Sequence, residues 1–261
     1  MNEYRKAVVC VGGLDTTGGA GLAADIRAAA ALRVPCRPIA AVLAPQDENG
    51  ISKVFPVPEG AFTAQLRSID WSTVGAVKLG AVFLPELLES FLDILPTEPA
   101  LVIDPLLGAS AGGRLSAPDL PETLRRHGFP RAVLVTFNRG ETRAFFRRDY
   151  DDALSAEELA IELAAELGCA VLLKGGHLPG EPVDHLALAD GTLEAFPGIR
   201  SAVAVRGTGC MLATAIVCGL ASGINLTEAV ARAKSLVNAA VECAYPGVGG
   251  HIADPRSIRQ R

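Results

Sequence analysis

The chain has 261 residues, enough for one large α/β domain or two small ones, and its 49% hydrophobic and 20% charged side chains bury a sizeable core and exclude a disordered polymer. The net charge is −5, from 24 basic and 29 acidic side chains, and basic residues cluster no further than pairs such as Arg125-Arg126 and Arg147-Arg148, which speaks against a nucleic-acid partner. Six cysteines without a Cys-x-x-Cys, a polar start and no apolar run of about 20 residues predict reduced thiols, no signal segment, no membrane span and a cytoplasmic protein.

Short aliphatic and β-branched runs predict strands at 6–12, 38–44, 74–79, 100–104, 132–136 and 169–174. Helical patterns lie between and after them, near 20–32, 59–70, 84–94, 118–127, 155–167, 210–222 and 226–242. Strand–helix alternation over most of the chain predicts an α/β fold with a parallel sheet covered on both faces. Around 184–196, Asp190-Gly191 between two alternating runs marks a hairpin. Ser155-Ala-Glu-Glu158 is a capping box closed by Gly168, and Asn225-Leu-Thr-Glu228 opens the last helix in the same way. With no internal repeat, low-complexity tract or linker, one domain over 1–261 is expected.

Chemistry concentrates at strand ends. Gly12-Gly13-Leu-Asp15-Thr-Thr-Gly18-Gly-Ala-Gly21-Leu-Ala-Ala-Asp25 follows the first strand, where open sheets place ligands, yet it is neither a dinucleotide fingerprint nor a P-loop. It reads either as a ligand loop with Asp25 facing a pocket, or as tight strand–helix packing with Asp25 serving the helix dipole. Lys78 closes an apolar strand, and Asp104-Pro105 closes another; that Asp binds a metal or caps the loop. Asn138-Arg-Gly-Glu141 places an amide and a carboxylate on one helix face, suited to hydrated Mg²⁺ or, more simply, to a reciprocal N-cap. Lys174-Gly-Gly-His177 puts a point charge and two glycines at a strand end, for phosphates or merely for an exit into solvent; His177 reads as a loop residue. Gly207-Thr208-Gly209-Cys210 opens the apolar helix. Its free N–H groups and the helix dipole make it an anion cradle with a thiol inclined to thiolate, or an ordinary glycine-rich helix start with a buried cysteine.

In order and spacing, DTTGGAGLAAD, APQDENG, VKLG, VIDP, NRGE, LLKGGH and RGTGC, between about residues 8 and 250, closely resemble the hydroxymethylpyrimidine/phosphomethylpyrimidine kinases of thiamine biosynthesis, members of the ribokinase-like superfamily. The resemblance implies a ribokinase-like three-layer α/β/α sandwich with a mostly parallel sheet of eight or nine strands, in a homodimer. It implies transfer of the γ-phosphate of ATP, with Mg²⁺, to 4-amino-5-hydroxymethyl-2-methylpyrimidine and then to its monophosphate. Carried to matching positions, Asp25 and Gln46 would hydrogen-bond the small-molecule pyrimidine, with Gly13 beside the ring. Lys174 would neutralise ATP phosphates. Asn138 and Glu141 would position Mg²⁺, with Asp104 contributing. Gly207, Thr208 and Gly209 would form the anion hole, and Cys210 would stand where most ribokinase relatives carry a catalytic Asp.

The chain departs from that family in three places. Ala81 stands where a methionine commonly packs on the pyrimidine. Leu107-Gly-Ala-Ser-Ala-Gly-Gly-Arg114 lacks the lysine of the family's Ala-Lys-Ser-Gly, leaving Arg114 as the substitute, and Asp47 and Glu48 add two carboxylates beside Gln46. The alternatives are a pyridoxal/pyridoxine-type kinase and a non-catalytic pyrimidine-binding regulatory protein.

Overall fold

A computed structural model of the chain describes residues 6–108, 114–146, 154–176 and 181–255. Arg147-Arg148, His177 and most of the Gly-Ala-Ser-Ala-Gly-Gly run lie outside the described residues. The strands are β1 (Ala7–Asp15), β2 (Cys36–Ala44), β3 (Gln46–Asp47), β4 (Gly50–Ile51), β5 (Phe55–Pro56), β6 (Val74–Leu79) and β7 (Ala100–Ile103), followed by β8 (Leu134–Phe137), β9 (Ala170–Leu173), β10 (Val183–Ala187), β11 (Leu193–Pro197), β12 (Val205–Arg206), β13 (Tyr245–Gly247) and β14 (Gly250–Ile252). The helices are α1 (Gly21–Ala31), α2 (Glu59–Arg67), α3 (Pro85–Ile94), α4 (Leu120–Thr123), α5 (Arg139–Phe146), α6 (Ala156–Leu167), α7 (Thr208–Ala221) and α8 (Leu226–Glu242).

Nine strands form the main sheet in the order β11-β10-β9-β8-β7-β6-β1-β2-β5. The run from β9 to β2 is parallel; β10, β11 and β5 are antiparallel additions at the two edges. The parallel strands are buried on both faces, hence their nearly unbroken apolar sequences. Alternate residues sort cleanly between two cores. Val9, Val11, Val77, Leu79, Val135 and Phe137 pack under α2, α3, α5 and α6. Val8, Cys10, Ala76, Val102, Leu134 and Leu172 pack under α1, α7 and α8. The three layers predicted from the alternation are therefore present.

The chain leaves β1 for β2 on one side and returns to β6 on the other, so the strand order reverses between β1 and β6. Open α/β sheets bind ligands at such a switch point, beyond the carboxyl ends of the strands. Glycine shapes this edge. β1 runs on through Gly12 and Gly13 to Asp15, three residues past its predicted end, with a register shift between the two glycines against β2. A side chain at Gly21, whose φ is +56°, would strike the Gly13 carbonyl oxygen. That close approach locks the first loop onto the strand below it.

The predicted caps at α6 and α8 form: Ser155 and Glu158 bond reciprocally, Gly168 takes a left-handed φ of 64°, and Asn225 accepts from the Glu228 N–H. The predicted helix at 118–127 forms as α4 continued by a wider helical turn over Leu124–Gly128, with a tight turn at Phe129–Arg131 beyond it; Pro121 stands in the first turn, where its missing N–H costs nothing. The hairpins β3–β4 and β13–β14 have no strand-length apolar run and escape a pattern search. Among the described residues no helix is long and apolar enough to cross a membrane.

Candidate active site

A cavity of ≈ 680 Å³ opens across the carboxyl ends of the strands at the switch point. The start of α7 forms part of its wall. Gly207 caps the helix in the left-handed region (φ 81°), and its α-carbon faces the Gly19 carbonyl so closely that a methyl group there would sit 2.2 Å from that oxygen. The first donor to close an intrahelical bond is the Met211 N–H, onto the Gly207 carbonyl at 2.9 Å. The N–H groups of Thr208, Gly209 and Cys210 therefore have no partner within the helix. The first turn of α7 carries no acidic side chain, so the positive end of the helix dipole is uncompensated. Such a turn is suited to hold an anion.

Three lysines line the cavity, each paired with a buried aspartate: Lys234 with Asp184 Oδ2 at 2.6 Å, and Lys78 and Lys174 nearer the start of α7. Lys78, at the end of β6, reaches Asp25 Oδ1 and Oδ2 at 3.1 and 3.0 Å, and Thr214 on α7 donates to Asp25 Oδ1 at 2.7 Å. Asp25 is fully buried, so Lys78 presents its charge to the cavity and the carboxylate lies beneath it. This differs from the implied direct contact between Asp25 and the pyrimidine: helix α1 turns that carboxylate toward a cation in the sheet, the cheapest partner for a buried charge. Burial, the largest single influence, would lower the Lys78 pKa, but Asp25 with Cys210, Asp104 and Cys10 together outweigh it and hold the amine charged. Lys174, just past β9, donates to Asp104 Oδ1 at 2.7 Å and stands 3.6 Å from Glu141 Oε2. Burial pushes Asp104 up, yet Lys174 and Lys78 outweigh it and hold the carboxyl below its ordinary range.

Asp104 Oδ1 also accepts from Thr136, whereas Oδ2 is buried with no hydrogen-bond partner. A methyl group on Gly209 would lie 4.0 Å from this Oδ2 and 4.0 Å from Lys174 Nζ, so the orphaned oxygen points to the space under the anion turn. Asn138 and Glu141 form the reciprocal cap that their spacing allows: the Asn138 N–H donates to Glu141 Oε2 at 2.7 Å and the Glu141 N–H to Asn138 Oδ1 at 2.9 Å. Burial raises the Glu141 pKa, with Lys174 opposing. Among the described residues no group of three or more His, Cys, Asp or Glu side chains could cage a metal. Two carboxylates beside a phosphate site nevertheless fit Mg²⁺, which keeps waters and takes its remaining ligands from phosphate oxygens. The unsatisfied Asp104 oxygen is the feature that asks for such an ion.

Cys210 is 5% exposed at the lip of the turn. Burial pushes its thiol up to about 11, the Asp25 and Asp104 carboxylates add to this, and Lys78 and the Gly21 N–H only partly oppose it. The expected lowering by the helix terminus does not prevail, so at neutral pH the residue rests as a thiol.

Gln46, on β3, lines the cavity, and Thr16 bonds both its N–H and its carbonyl. Gly13 and Ala81 line the same wall, and Asp47 and Glu48 face solvent. Leu107 lines a separate cavity with Arg114 and Phe145, while Leu106 takes the wall of the site. The Leu107 carbonyl accepts from the Leu115 N–H at 2.9 Å, which holds Leu107 against that second cavity. Arg114 thus does not stand in for the missing lysine at the site. Sequence reasoning overlooked Arg206, Asp15 and Thr214; Arg206 is legible only as a lone cation closing an apolar run directly before the anion turn.

A mostly parallel sheet between two helical layers, with the glycine-rich turn of α7 and the lysines Lys78 and Lys174 at its carboxyl edge, is the architecture of a ribokinase-like phosphotransferase. The family model described as phosphomethylpyrimidine kinase matches residues 15–254. A hydroxymethylpyrimidine/phosphomethylpyrimidine kinase of Streptomyces coelicolor is 34% identical over 248 residues, covering 93% of this chain and 91% of that one. Its counterpart in Rhizobium meliloti is 33% identical over 244 residues, with 90% of each chain covered. The crystal structure of phosphomethylpyrimidine kinase from Clostridium difficile superposes with a TM-score of 0.75 at 27% identity, over 89% of this chain and 97% of that one. The pyridoxal kinase of Bacillus subtilis shares the fold, with a TM-score of 0.86 at 24% identity over 98% and 100%. The chain belongs to the phosphomethylpyrimidine kinase family and is a kinase.

Proposed function

We propose that this chain transfers the γ-phosphoryl group of ATP to the hydroxymethyl oxygen of 4-amino-5-hydroxymethyl-2-methylpyrimidine, and then to the phosphate of the resulting monophosphate, in thiamine biosynthesis. The supporting observation is the meeting of the Gly207–Cys210 turn, Lys174 and Lys78 at one cavity. Lys174 offsets phosphate charge as a point cation, and the N–H groups of Thr208, Gly209 and Cys210 hold the transferring group, so positioning and electrostatics supply most of the acceleration. Asp104 Oδ2 and Glu141, ordered by Asn138, would hold Mg²⁺, which spreads the charge of the phosphate oxygens. Gly13, Ala81 and Gln46 receive the pyrimidine at the β1–β6 end. Cys210 faces the acceptor hydroxyl and takes its proton as the new O–P bond forms and the bond to ADP breaks. Because its thiol rests protonated, Cys210 would act as a base through the minor thiolate fraction that has released its proton to water before the acceptor binds.

Release of ADP, followed with hydroxymethylpyrimidine, its monophosphate and pyridoxine in turn, tests the activity. Turnover of both pyrimidines supports it, turnover of pyridoxine alone selects the pyridoxal-type alternative, and no ADP with any of them overturns the kinase assignment for these substrates. Cys210→Ala is expected to lower turnover by about 10², the scale of general-base assistance; near-wild-type turnover removes the thiol from proton transfer. The same proposal takes residues 1–261 as one kinase domain acting as a homodimer, which equilibrium sedimentation checks directly.

A further inference from the structure

Arg206 is 8% exposed and sits at the centre of four segments that are distant in sequence. Its Nη1 donates to Thr17 Oγ1 at 3.1 Å and to the Val248 carbonyl at 2.9 Å. Its Nη2 donates to Asp15 Oδ2 at 3.1 Å and to Gln46 Oε1 at 2.8 Å. Backbone presses on the guanidinium from two sides: a methyl group on Gly19 would come within 3.4 Å of Cζ, and one on Gly249 within 3.1 Å of Nη1. Asp15 has no capacity to spare, since Oδ1 accepts from the Thr17 N–H and hydroxyl and Oδ2 from the Ala20 N–H as well. Arg206 is therefore fixed in place and charge-balanced; of its partners at the cavity wall, Asp15 is saturated, whereas Gln46 is a neutral, reversible amide.

An amide is a donor at one end and an acceptor at the other, and rotation by half a turn exchanges them. A guanidinium carries five donors and no acceptor, so only the Gln46 oxygen is able to face it. Thr16 fixes the Gln46 backbone from both sides. None of the hydrogen bonds among the described residues uses Nε2. We propose that Arg206 is a positioning residue that sets the polarity of substrate recognition: by holding Gln46 Oε1 it turns the Nε2 donors toward the substrate, and the site selects a heterocycle with an acceptor ring nitrogen at that point. Gln46 thus recognises the ring nitrogen of an aminopyrimidine and not its exocyclic amine. This inference rests on the pyrimidine kinase proposed above.

The test compares hydroxymethylpyrimidine with its two monodeaza analogues, in which one ring nitrogen or the other becomes C–H, by calorimetric Kd and by KM and kcat. In the wild type one analogue is expected to bind about 10 to 100 times more weakly, the scale of a donor left unpaired in a closed site. In Arg206→Leu the ratio should fall to within about threefold, with the loss carried by KM, and Arg206→Lys should recover part of it because lysine is also a pure donor. Gln46→Glu offers only acceptors to the cavity, so with Arg206 intact the preference for that ring nitrogen should vanish. A folded Arg206→Leu variant that keeps the full wild-type ratio overturns the inference; if that variant does not fold, an undiminished ratio in Gln46→Glu does so. Wild-type turnover of hydroxymethylpyrimidine with equal affinity for both analogues overturns the role of Arg206 alone, whereas absence of binding and of ADP from the wild type overturns both proposals.

Discussion

Gly207 and Gly209, two residues apart, meet opposite surroundings. A methyl group at Gly207 would sit 2.2 Å from the Gly19 carbonyl on a left-handed backbone, and neither loop is free to yield. Gly207→Ala should cost about 2–4 kcal/mol and depress Tm. At Gly209 the nearest atoms are 4.0 Å away, so the fold accepts alanine, but the methyl group fills the space between Lys174 Nζ, Asp104 Oδ2 and the anion turn. Gly209→Ala should leave Tm unchanged and lower turnover by about 10²–10³, the loss typical of a disturbed oxyanion-type site. Thermal melts and ADP release on the two variants check this; parallel losses of Tm would refute the distinction. The sequence marks both residues as glycines of one motif, and only the neighbours show that the first shapes the chain while the second leaves room for a ligand.

At the scale of elements, Lys78, Asp25 and Thr214 join β6, α1 and α7 through a buried cluster between the sheet and its helical layer. Removing one charge strands the other: Lys78→Met should destabilise by about 3–5 kcal/mol, while Lys78→Met with Asp25→Leu should recover much of that loss. Urea unfolding of both variants measures it, and a double variant no more stable than the single one would contradict it. The individual elements were legible in the sequence wherever one period dominated. β6, β10–β11 and α6 lie where their apolar runs, Asp190-Gly191 and capping box place them. The helix expected at 118–127 forms from Leu120 but widens over Leu124–Gly128, which periodicity does not reveal, and β1 ran past its expected end because its glycines pair in the sheet before they turn. At Asn138 and Glu141 the spacing was read correctly as a reciprocal cap, yet the same carboxylate also stands beside Lys174, which spacing does not reveal.

For the whole molecule, buried thiols make stability depend on alkaline pH. Burial raises Cys169 and Cys210 from 9.0 to about 11. Each proton is held more tightly in the folded state than in the unfolded chain, so the contribution is complete below pH 9 and is lost as pH rises toward 11. The unfolding free energy should therefore decline between pH 9 and 11, and the decline should be shallower in a Cys169→Ala, Cys210→Ala variant. Denaturation at pH 8, 9, 10 and 11 reads the two slopes, and identical slopes would exclude these thiols as the cause.

By itself the sequence determined the alternation of strands and helices, the two-faced burial of the sheet and the order of the motifs along its carboxyl edge, because these depend on local periodicity and on residue types close together in the chain. It also carried the family. Tertiary structure decided which charges meet. Asp25 behind Lys78, Asp104 under Gly209 and Arg206 on Gln46 join residues tens to hundreds of positions apart. Whether a carboxylate touches a substrate or neutralises a lysine depends on burial and on which cation the fold brings within about 3 Å, and no spacing along one chain encodes that distance.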